Sequence, residues 1–449
     1  MNIPKNTKYG IFGLGISGIA TIQFLSKLGE DFIAWDDSEV NIKKAKEQIS
    51  DHSIFCDLND SEWQKIDIII LSPGIPLHFP KPHQITKFAK KHNIEIICDI
   101  ELFYRKFPNN KYIGITGTNG KSTTTSLIGH ILKDNNISCH VVGNIGTPIL
   151  SITPKEDDII VVEISSFQLD LVRKIRFNAA ILLNITKDHL DRHGSMENYI
   201  ETKYKVFSNQ KNVDFAIINN ALNDKHKFEG RVIKLDTTKK TTTGISIYEN
   251  ILYCDGNKVS KIDQPKSLLG SHNQENIIAA YAAVSNITNL SDKKILDSIK
   301  TFQGLPHRIQ ILGEKHGFQF INDSKATNFE SAEKALEIFD NIYWIAGGVS
   351  KEGGIDPIFH FKKKIIHAFL IGKSSEEFAE TLTKHAIPYT KSSSLEKAFY
   401  DAISLGKNDK KNKNILLSPA AASLDQWKNF EERGNCFINL ATKYINESY

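Results

Sequence analysis

The sequence predicts an α/β protein of three domains, each a mostly parallel sheet covered by helices. Three observations carry this. The chain has 449 residues, which at about 150 residues per domain is room for roughly three. Strand-sized apolar runs alternate with stretches of helical period along nearly all of it. A glycine-rich turn between a strand and a helix occurs near residue 13 and again near residue 114, and the second marks a fresh start of the βαβ pattern. The expected divisions are 1–99, 100–305 and 306–449.

The elements follow in order. Residues 9–12 read as a strand, and Ile19, Ile22, Leu25 and Leu28 then recur at helical spacing. Residues 32–35 and 67–71 are the next strands, the latter apolar after Asp67, as in a parallel sheet buried on both faces. The second domain opens with a strand at 112–116, a glycine-rich turn and a helix over 121–133, followed by buried strands at 159–164 and 179–185. Residues 236–265 are polar, with β-prone pieces at 244–248 and 251–254 that predict a small β-meander. After residue 308, apolar runs at 318–321, 342–346, 368–371 and 415–417 alternate with helical patterns, so the C-terminal domain is expected to be Rossmann-like, as is the N-terminal one. The Lys/Asn-rich run 407–414 reads as a solvated loop.

Composition narrows the functional classes. Apolar residues make up 40% and charged residues 24%, and 56 Lys+Arg against 52 Asp+Glu give a net charge of +4. That is too little charge for a nucleic-acid-coating protein. The five cysteines are scattered and form no CxxC pair, which argues against disulfides or a zinc-thiolate site and fits a reducing cytoplasm. The N-terminus has no apolar stretch of signal-peptide length, and no apolar run approaches the ~18 residues of a membrane span. The expectation is a cytoplasmic chain with no membrane span and no nucleic-acid partner.

Two loops carry phosphate chemistry. Gly13-Leu14-Gly15-Ile16-Ser17-Gly18 is a literal GxGxxG, with Asp36 and Asp37 following about 20 residues later. Its glycines let the backbone approach a diphosphate, and the helix N-terminus adds donors and a positive dipole end. The motif alone leaves open NAD with Asp36 on the ribose, another nucleotide, or a tight turn without ligand. The second loop, Gly114-Ile-Thr-Gly117-Thr118-Asn119-Gly120-Lys121-Ser122-Thr123, departs from the usual P-loop spacing by one place, since Ile115 stands where its first glycine belongs. Its backbone amides can cradle phosphates, Lys121 can reach the β- and γ-phosphates, and Ser122 can hold Mg²⁺. A chain with both loops fits ATP plus a second nucleotide better than a dehydrogenase. Glu163, at the end of IIVVE, and Asp188-His189, after another buried strand, lie where parallel strands present ligand-binding groups. Taken singly, each reads equally as a surface charge or a satisfied histidine.

GTNGKST, the ELSSFQL-like segment 163–169, Asp188-His189, GSHNQEN at 270–276 and GLPHR at 304–308 together resemble the Mur ligases of peptidoglycan synthesis, in an order that covers nearly the whole chain. Within that family, NDSKATN at 322–328 and LSPAAASLDQWKNF at 417–430 resemble the segments of the D-glutamate-adding member, and GLGISG with Ser72-Pro73-Gly74 resembles its UDP-binding domain. The resemblance implies ATP-dependent addition of D-glutamate to UDP-N-acetylmuramoyl-L-alanine through an acyl phosphate and a tetrahedral intermediate, by a monomer using two Mg²⁺ ions. It implies that Lys121 stabilises the transferring phosphate and that Ser122, Glu163 and His189 serve Mg²⁺. It also implies that Lys203 is carbamylated, turning a cation into a metal-binding anion; without the resemblance Lys203 reads as an exposed helix lysine. ATP is expected at Gly117, Thr118, Asn119, Gly120, Lys121, Ser122, Thr123, Asn273, Asn276, Arg308 and Asp323. The UDP substrate is expected at Leu14, Gly15, Ile16, Asp36, Gly74, Asn144, Gln168 and His189. D-glutamate is expected at Lys325, Thr327, Lys351, Ser423 and Phe430, where two lysines would face its two carboxylates. Plainer readings stand beside these: helix capping for Asn273 and Asn276, an interdomain ion pair for Arg308, a turn for Asn144, and core packing for Phe430.

The chain departs from the pattern of the family it resembles at three places. Ser38 follows Asp36-Asp37 where relatives often carry arginine, the GGVSK loop at 347–351 lacks an acidic residue before its lysine, and Ala421 and Trp427 stand where cysteine and phenylalanine are common. The competing functions are a related amino-acid ligase acting on free muramic acid or folate, an NAD-dependent oxidoreductase using the first loop, and a non-catalytic nucleotide-binding module. The oxidoreductase leaves GTNGKST and Glu163 unexplained.

Overall fold

Lys8–Phe12 (β1), Asp31–Trp35 (β2), Ile68–Leu71 (β3) and Glu95–Ile97 (β4) form a parallel sheet in the order β2-β1-β3-β4. This is a computed structural model, and it describes residues 4, 6–144, 147–222, 226–350, 354–407 and 412–447, without the side chains of Lys266 and His272. The helix Ile16–Leu28 rises directly from the first glycine loop. A Cβ at Gly18 would lie 1.9 Å from the Gly13 carbonyl oxygen, so only glycine lets helix and strand approach this closely.

The second sheet has nine strands: Lys111–Thr116 (β5), Cys139–Gly143 (β6), Ile159–Glu163 (β7), Ala179–Leu182 (β8), Phe215–Asn219 (β9), Arg231–Asp236 (β10), Ile245–Tyr248 (β11), Ile251–Cys254 (β12) and Asn257–Lys261 (β13). Their order is β13-β12-β11-β10-β9-β8-β5-β7-β6. The expected meander, β11 to β13, is present and antiparallel, but it prolongs the main sheet because β11 pairs in parallel with β10. Its first turn is made by Glu249 and Asn250, both at positive φ (50° and 59°), the backbone a tight hairpin favours. β8 stops at Leu182 rather than running to 185, because Asn184 is drawn away to accept the Thr118 amide at 2.9 Å.

Residues 1–263 and 271–301 form one compact unit. One buried apolar cluster runs through it from Tyr9 to Ile218 and is shared by both sheets. The helix Asp99–Lys106 ties the sheets together: the buried carboxylate of Glu101 accepts from the amides of Arg173, Lys174 and Ile175 and from Arg105. With three backbone donors and a guanidinium on one carboxylate, this tie is well satisfied despite its burial.

Residues 264–270 and 302–449 form the second unit. Its strands are Gln310–Lys315 (β14), Phe318–Asn322 (β15), Ile342–Gly347 (β16), Ile365–Ile371 (β17), Tyr389–Lys391 (β18) and Lys413–Leu417 (β19), in the order β14-β15-β19-β16-β17-β18, with only the β14–β15 pair antiparallel. Each face of this sheet carries its own apolar core, one around Trp344 and Phe378 and the other around Phe320, Phe399 and Phe437. No helix among the described residues is long and apolar enough to cross a membrane.

Candidate functional site

The second glycine loop joins β5 to the helix Lys121–Asp134. Gly120 takes φ +84° at the helix N-terminus, and a Cβ there would stand 2.4 Å from Asn276 Oδ1. Asn276 is itself held, accepting from Thr124 Oγ1 at 3.1 Å and donating to Asn273 Oδ1 at 2.9 Å. Both asparagines therefore lie buried behind the loop, inside the helix Ser271–Ile287 rather than capping it. Asn184 fixes the loop's other side, accepting the Thr118 and Asn119 amides at 2.9 and 2.8 Å. Gly114, read from the sequence with the loop, lies inside β5, where a Cβ would meet the Phe177 ring at 2.6 Å. It is a packing glycine.

Two lysines converge on one carbonyl. Lys121 Nζ donates to the Gly117 and Thr118 oxygens at 2.9 and 2.8 Å, and Lys203 Nζ donates to the same Gly117 oxygen at 2.9 Å. Lys203 is no exposed helix lysine. It is 2% exposed and lies 4.7 Å over the Tyr199 ring. Burial, reinforced by the Lys121 charge, pulls its amine down to about 7. Ser122 is half-buried on the first turn beside Thr123.

Glu163 ends β7, paired in register with Ile115 of β5. It is 1% exposed. Its Oε1 accepts from Asn144 Nδ2 at 3.1 Å, while Oε2 has no partner among the described residues. A buried carboxylate oxygen left unpaired is costly, and a cation would satisfy it. Asn144 also gives its amide to the Glu163 carbonyl at 2.9 Å. Gln168 is buried in a capping box, its Oε1 accepting from the Ser165 amide and hydroxyl at 3.1 and 3.0 Å. His189 sits at φ 51°, partly exposed, 3.3 Å from the Asp188 carboxylate and with its ring centroid 4.9 Å from that of Phe167.

At the first loop, the buried Asp36 carboxylate accepts from the Leu14 amide at 2.6 Å, the Ser38 amide at 2.7 Å and Asn41 Nδ2 at 3.1 Å. It thus organises the loop from within. Ser38 caps the helix Glu39–Gln48 through the Asn41 amide, a job arginine could not do. Gly15 caps the helix Ile16–Leu28 by backbone alone, and Ile16 stands 80% exposed beside it. Gly74 follows β3 in a turn whose glycine borders open space.

In the second unit, Asp323 is 3% exposed and accepts from Ser418 Oγ at 2.6 Å and the Ile309 amide at 3.2 Å. Burial pushes its carboxyl up to about 7, against hydrogen bonds and the Arg308 and Arg433 charges that favour ionisation. Lys325 Nζ lies 5.6 Å over the half-buried Phe430 ring, while its amide donates to the His307 carbonyl at 3.0 Å. Thr327 donates its amide to the Lys325 carbonyl at 2.9 Å, and Ser423 is buried nearby in sequence to Phe430. Lys351 lies outside the described residues.

Comparison with known proteins gives a consistent result. A family model for the Mur ligase middle domain matches residues 115–284, and one for the N-terminal domain of MurD-like Mur ligases matches residues 7–98. The UDP-N-acetylmuramoylalanine--D-glutamate ligase of Rickettsia bellii is 44% identical over 98% of both chains, and that of Rickettsia prowazekii is 44% identical over 99% of this chain and all of the relative. The chain belongs to the Mur ligase family. Among solved structures, the UDP-N-acetylmuramate-alanine ligase MurC of Thermotoga maritima superposes with a TM-score of 0.60 at 16% identity, over 98% of this chain and 99% of that one. MurF of Acinetobacter baumannii gives 0.59 over 76% and 79%. These shared folds agree with the α/β architecture expected of the Mur ligase from its sequence.

Three residues of this Mur ligase's site escaped sequence reasoning. His193 is buried with Nε2 3.0 Å from Ser166 Oγ, and burial holds it below its ordinary value. Its i,i+4 spacing from His189 was the one available signal. Arg192 donates into the turn at 73–75. Arg433, fully buried and lowered to about 10 by burial, joins Ser324 and Ala421 by hydrogen bonds of 2.9 to 3.1 Å. It thereby holds the NDSKATN and LSPAAAS segments to one another. Neither arginine stands in a motif that composition or spacing would mark.

Proposed function

We propose that this Mur ligase joins the carboxylate of UDP-N-acetylmuramoyl-L-alanine to the amine of D-glutamate at the expense of ATP, as a cytoplasmic monomer divided at 1–99, 100–305 and 306–449. The observation that carries the chemistry is the charge arrangement at the second loop. Two lysines share one backbone oxygen while a buried carboxylate oxygen of Glu163 has no partner among the described residues. Such a site is satisfied by a polyanion and a cation together. The choice of D-glutamate rests on the likeness to ligases of that name.

A carboxylate resists attack by an amine because its charge repels the nucleophile and oxide leaves poorly. Transfer of the γ-phosphoryl group from ATP to the substrate carboxylate gives an acyl phosphate and ADP. The D-glutamate amine then adds to the acyl carbon, loses a proton, and phosphate departs from the tetrahedral intermediate. Positioning and charge neutralisation account for most of the catalysis expected of such a site. Lys121 would stabilise the transferring phosphoryl group, with Gly117, Thr118, Asn119, Gly120, Ser122 and Thr123 cradling the phosphates and Asn273 and Asn276 supporting ATP. The buried Glu163 oxygen that has no partner among the described residues fits a hard cation such as Mg²⁺. Ser122, Glu163, His189 and a carbamylated Lys203 would hold two such ions, which would supply charge neutralisation. An amine brought down to about 7 is neutral in substantial part near pH 7, and the neutral form is the one that reacts with CO₂.

Leu14, Gly15, Ile16, Asp36, Gly74, Asn144, Gln168 and His189 would serve the UDP substrate. In the second unit, Arg308 and Asp323 would serve ATP, and Lys325, Thr327, Lys351, Ser423 and Phe430 would serve D-glutamate. The test is phosphate release from ATP and Mg²⁺ with UDP-N-acetylmuramoyl-L-alanine, comparing D-glutamate, L-glutamate and D-alanine. Release with D-glutamate alone, lost in Lys121→Ala, is expected. Release with none of them, together with tight NAD binding, would overturn the reading in favour of an oxidoreductase.

A further inference from the structure

We propose that Arg192 is a positioning residue for the nucleotide substrate, turning the Gly74 amide outward by gripping the carbonyls around it; the inference rests on the reading of the 72–75 turn as part of the UDP site. Arg192 lies on the four-residue helix Leu190–His193, three places after His189. Its Nη2 donates to the Pro73 and Ile75 oxygens at 2.9 and 3.1 Å, and its Nη1 to the Gly74 oxygen at 3.2 Å. The guanidinium carbon sits 4.7 Å over the Phe167 ring, which limits its rotation. Three successive carbonyls therefore converge on one planar fork, whose fixed geometry orients them more rigidly than a freely rotating ammonium would.

The consequence follows from peptide geometry. In a trans peptide the C=O and the following N–H point in opposite directions. With the Pro73 oxygen held toward Arg192, the Gly74 N–H faces the other way. The next amide, Ile75, is spent within the turn on the Ser72 oxygen at 3.0 Å. Ser72 is in turn anchored to the first glycine loop, its hydroxyl donating to the Gly13 oxygen at 2.9 Å. A Cβ built at Gly74 meets nothing within 4 Å, so the turn borders open space. An oriented amide beside open space and tied to a glycine-rich loop is a donor for a phosphate oxygen. The same side chain links this turn to the helix Leu190–His193.

The test uses the full chain and two variants, Arg192→Met and Arg192→Lys. UDP alone probes the nucleotide site, ADP probes the second loop, and steady-state kinetics follow ligation. Arg192→Met is expected to weaken UDP binding about tenfold, the loss of roughly one charge-assisted hydrogen bond, and to raise KM for UDP-N-acetylmuramoyl-L-alanine similarly. ADP affinity and KM for ATP should stay within about twofold. Arg192→Lys should fall between, since it keeps the charge without the fork. Unchanged UDP affinity in folded variants would overturn the proposal. So would a parallel loss of UDP and ADP affinity tracking a fall in Tm, which is the mark of a merely structural tie. Because UDP binding is read without turnover, failure of the ligase reading would appear separately, as absence of D-glutamate-dependent phosphate release in the unmodified chain.

Discussion

Asp323→Asn should change the pH dependence of stability in a defined direction. The carboxyl of Asp323 is raised from 3.8 to about 7, chiefly by burial. Below pH ~4 the folded and unfolded chains both hold this proton, and the group contributes nothing. Between pH ~4 and ~7 the unfolded chain releases the proton while the folded chain keeps it. Stability then falls as pH rises, by up to about 1.4 kcal/mol per unit and about 4 kcal/mol in all. Above pH ~7 the penalty is constant. Asparagine has the same shape and no titration, and its amide can still face Ser418 Oγ and accept from the Ile309 amide. The variant should therefore gain on the unmodified chain from pH 4.5 to pH 8, by several degrees in Tm for a unit of this size. Urea unfolding at pH 4.5, 6 and 8 can be followed by the fluorescence of Trp344, buried in the same unit and bonded to the Ser418 carbonyl at 2.8 Å, in a background where the other three tryptophans are replaced by phenylalanine. Parallel pH profiles for the two proteins would refute the reasoning, and a variant that loses ground with rising pH would reverse its sign.

Two glycine substitutions should separate packing from function. Gly114→Ala forces a methyl into the Phe177 ring at 2.6 Å, and should cost about 1–3 kcal/mol of stability while leaving KM for ATP within about twofold in the folded fraction, as thermal melts and kinetics together would show. Gly120→Ala combines φ +84° with a 2.4 Å approach to Asn276 Oδ1, and should weaken ADP binding at least about tenfold by displacing the loop amides, as calorimetry would measure. Glu163→Gln removes a buried charge whose second oxygen has no partner among the described residues. It should leave Tm unchanged or slightly raised while lowering kcat/KM by about a hundredfold or more, a stability–activity trade-off read from melts and phosphate release.

Much of the fold was legible because its central strands are short apolar runs. β3, β7, β8 and β16 are buried along their whole length, and their sequences say so. β4, β13 and β18 are a different matter: EII is only three residues long, NKVSK and YTK carry little apolar signal, and all three are strands because a neighbour pairs with them. At the candidate site, the glycine loop and Lys121 announced themselves by motif, whereas the sequence misjudged what surrounds them. Gly114 looked like part of the loop, but its contact is the Phe177 ring. Lys203, Arg192 and Arg433 owe their roles to burial and to carbonyls contributed by distant segments, as in Lys203 meeting Gly117 86 residues away. A long cationic side chain has no local pattern that distinguishes gripping the backbone from standing in water.

That distinction bears on how the site holds its charged side chains. Lys203 and the Glu163 carboxylate are both almost fully buried, and a direct pair would relieve each of them. Instead Lys203 is committed to the Gly117 oxygen and Glu163 to Asn144, with Lys121 folded onto the same loop. Each of these hydrogen bonds uses a neutral partner, weaker than a countercharge would be. A loop that had neutralised itself would have nothing left to offer a triphosphate or a cation. Donors held in place before the ligand arrives need no reorganisation during reaction. The free chain should accordingly be strained at this loop and stabilised by nucleotide, with Tm rising as ligand exceeds its Kd; at about 100 times Kd the gain is about 2.7 kcal/mol. In Lys121→Ala the rise with ADP should shrink, because the cation carried by the loop itself is gone while the Gly117 carbonyl still has Lys203 to hold it.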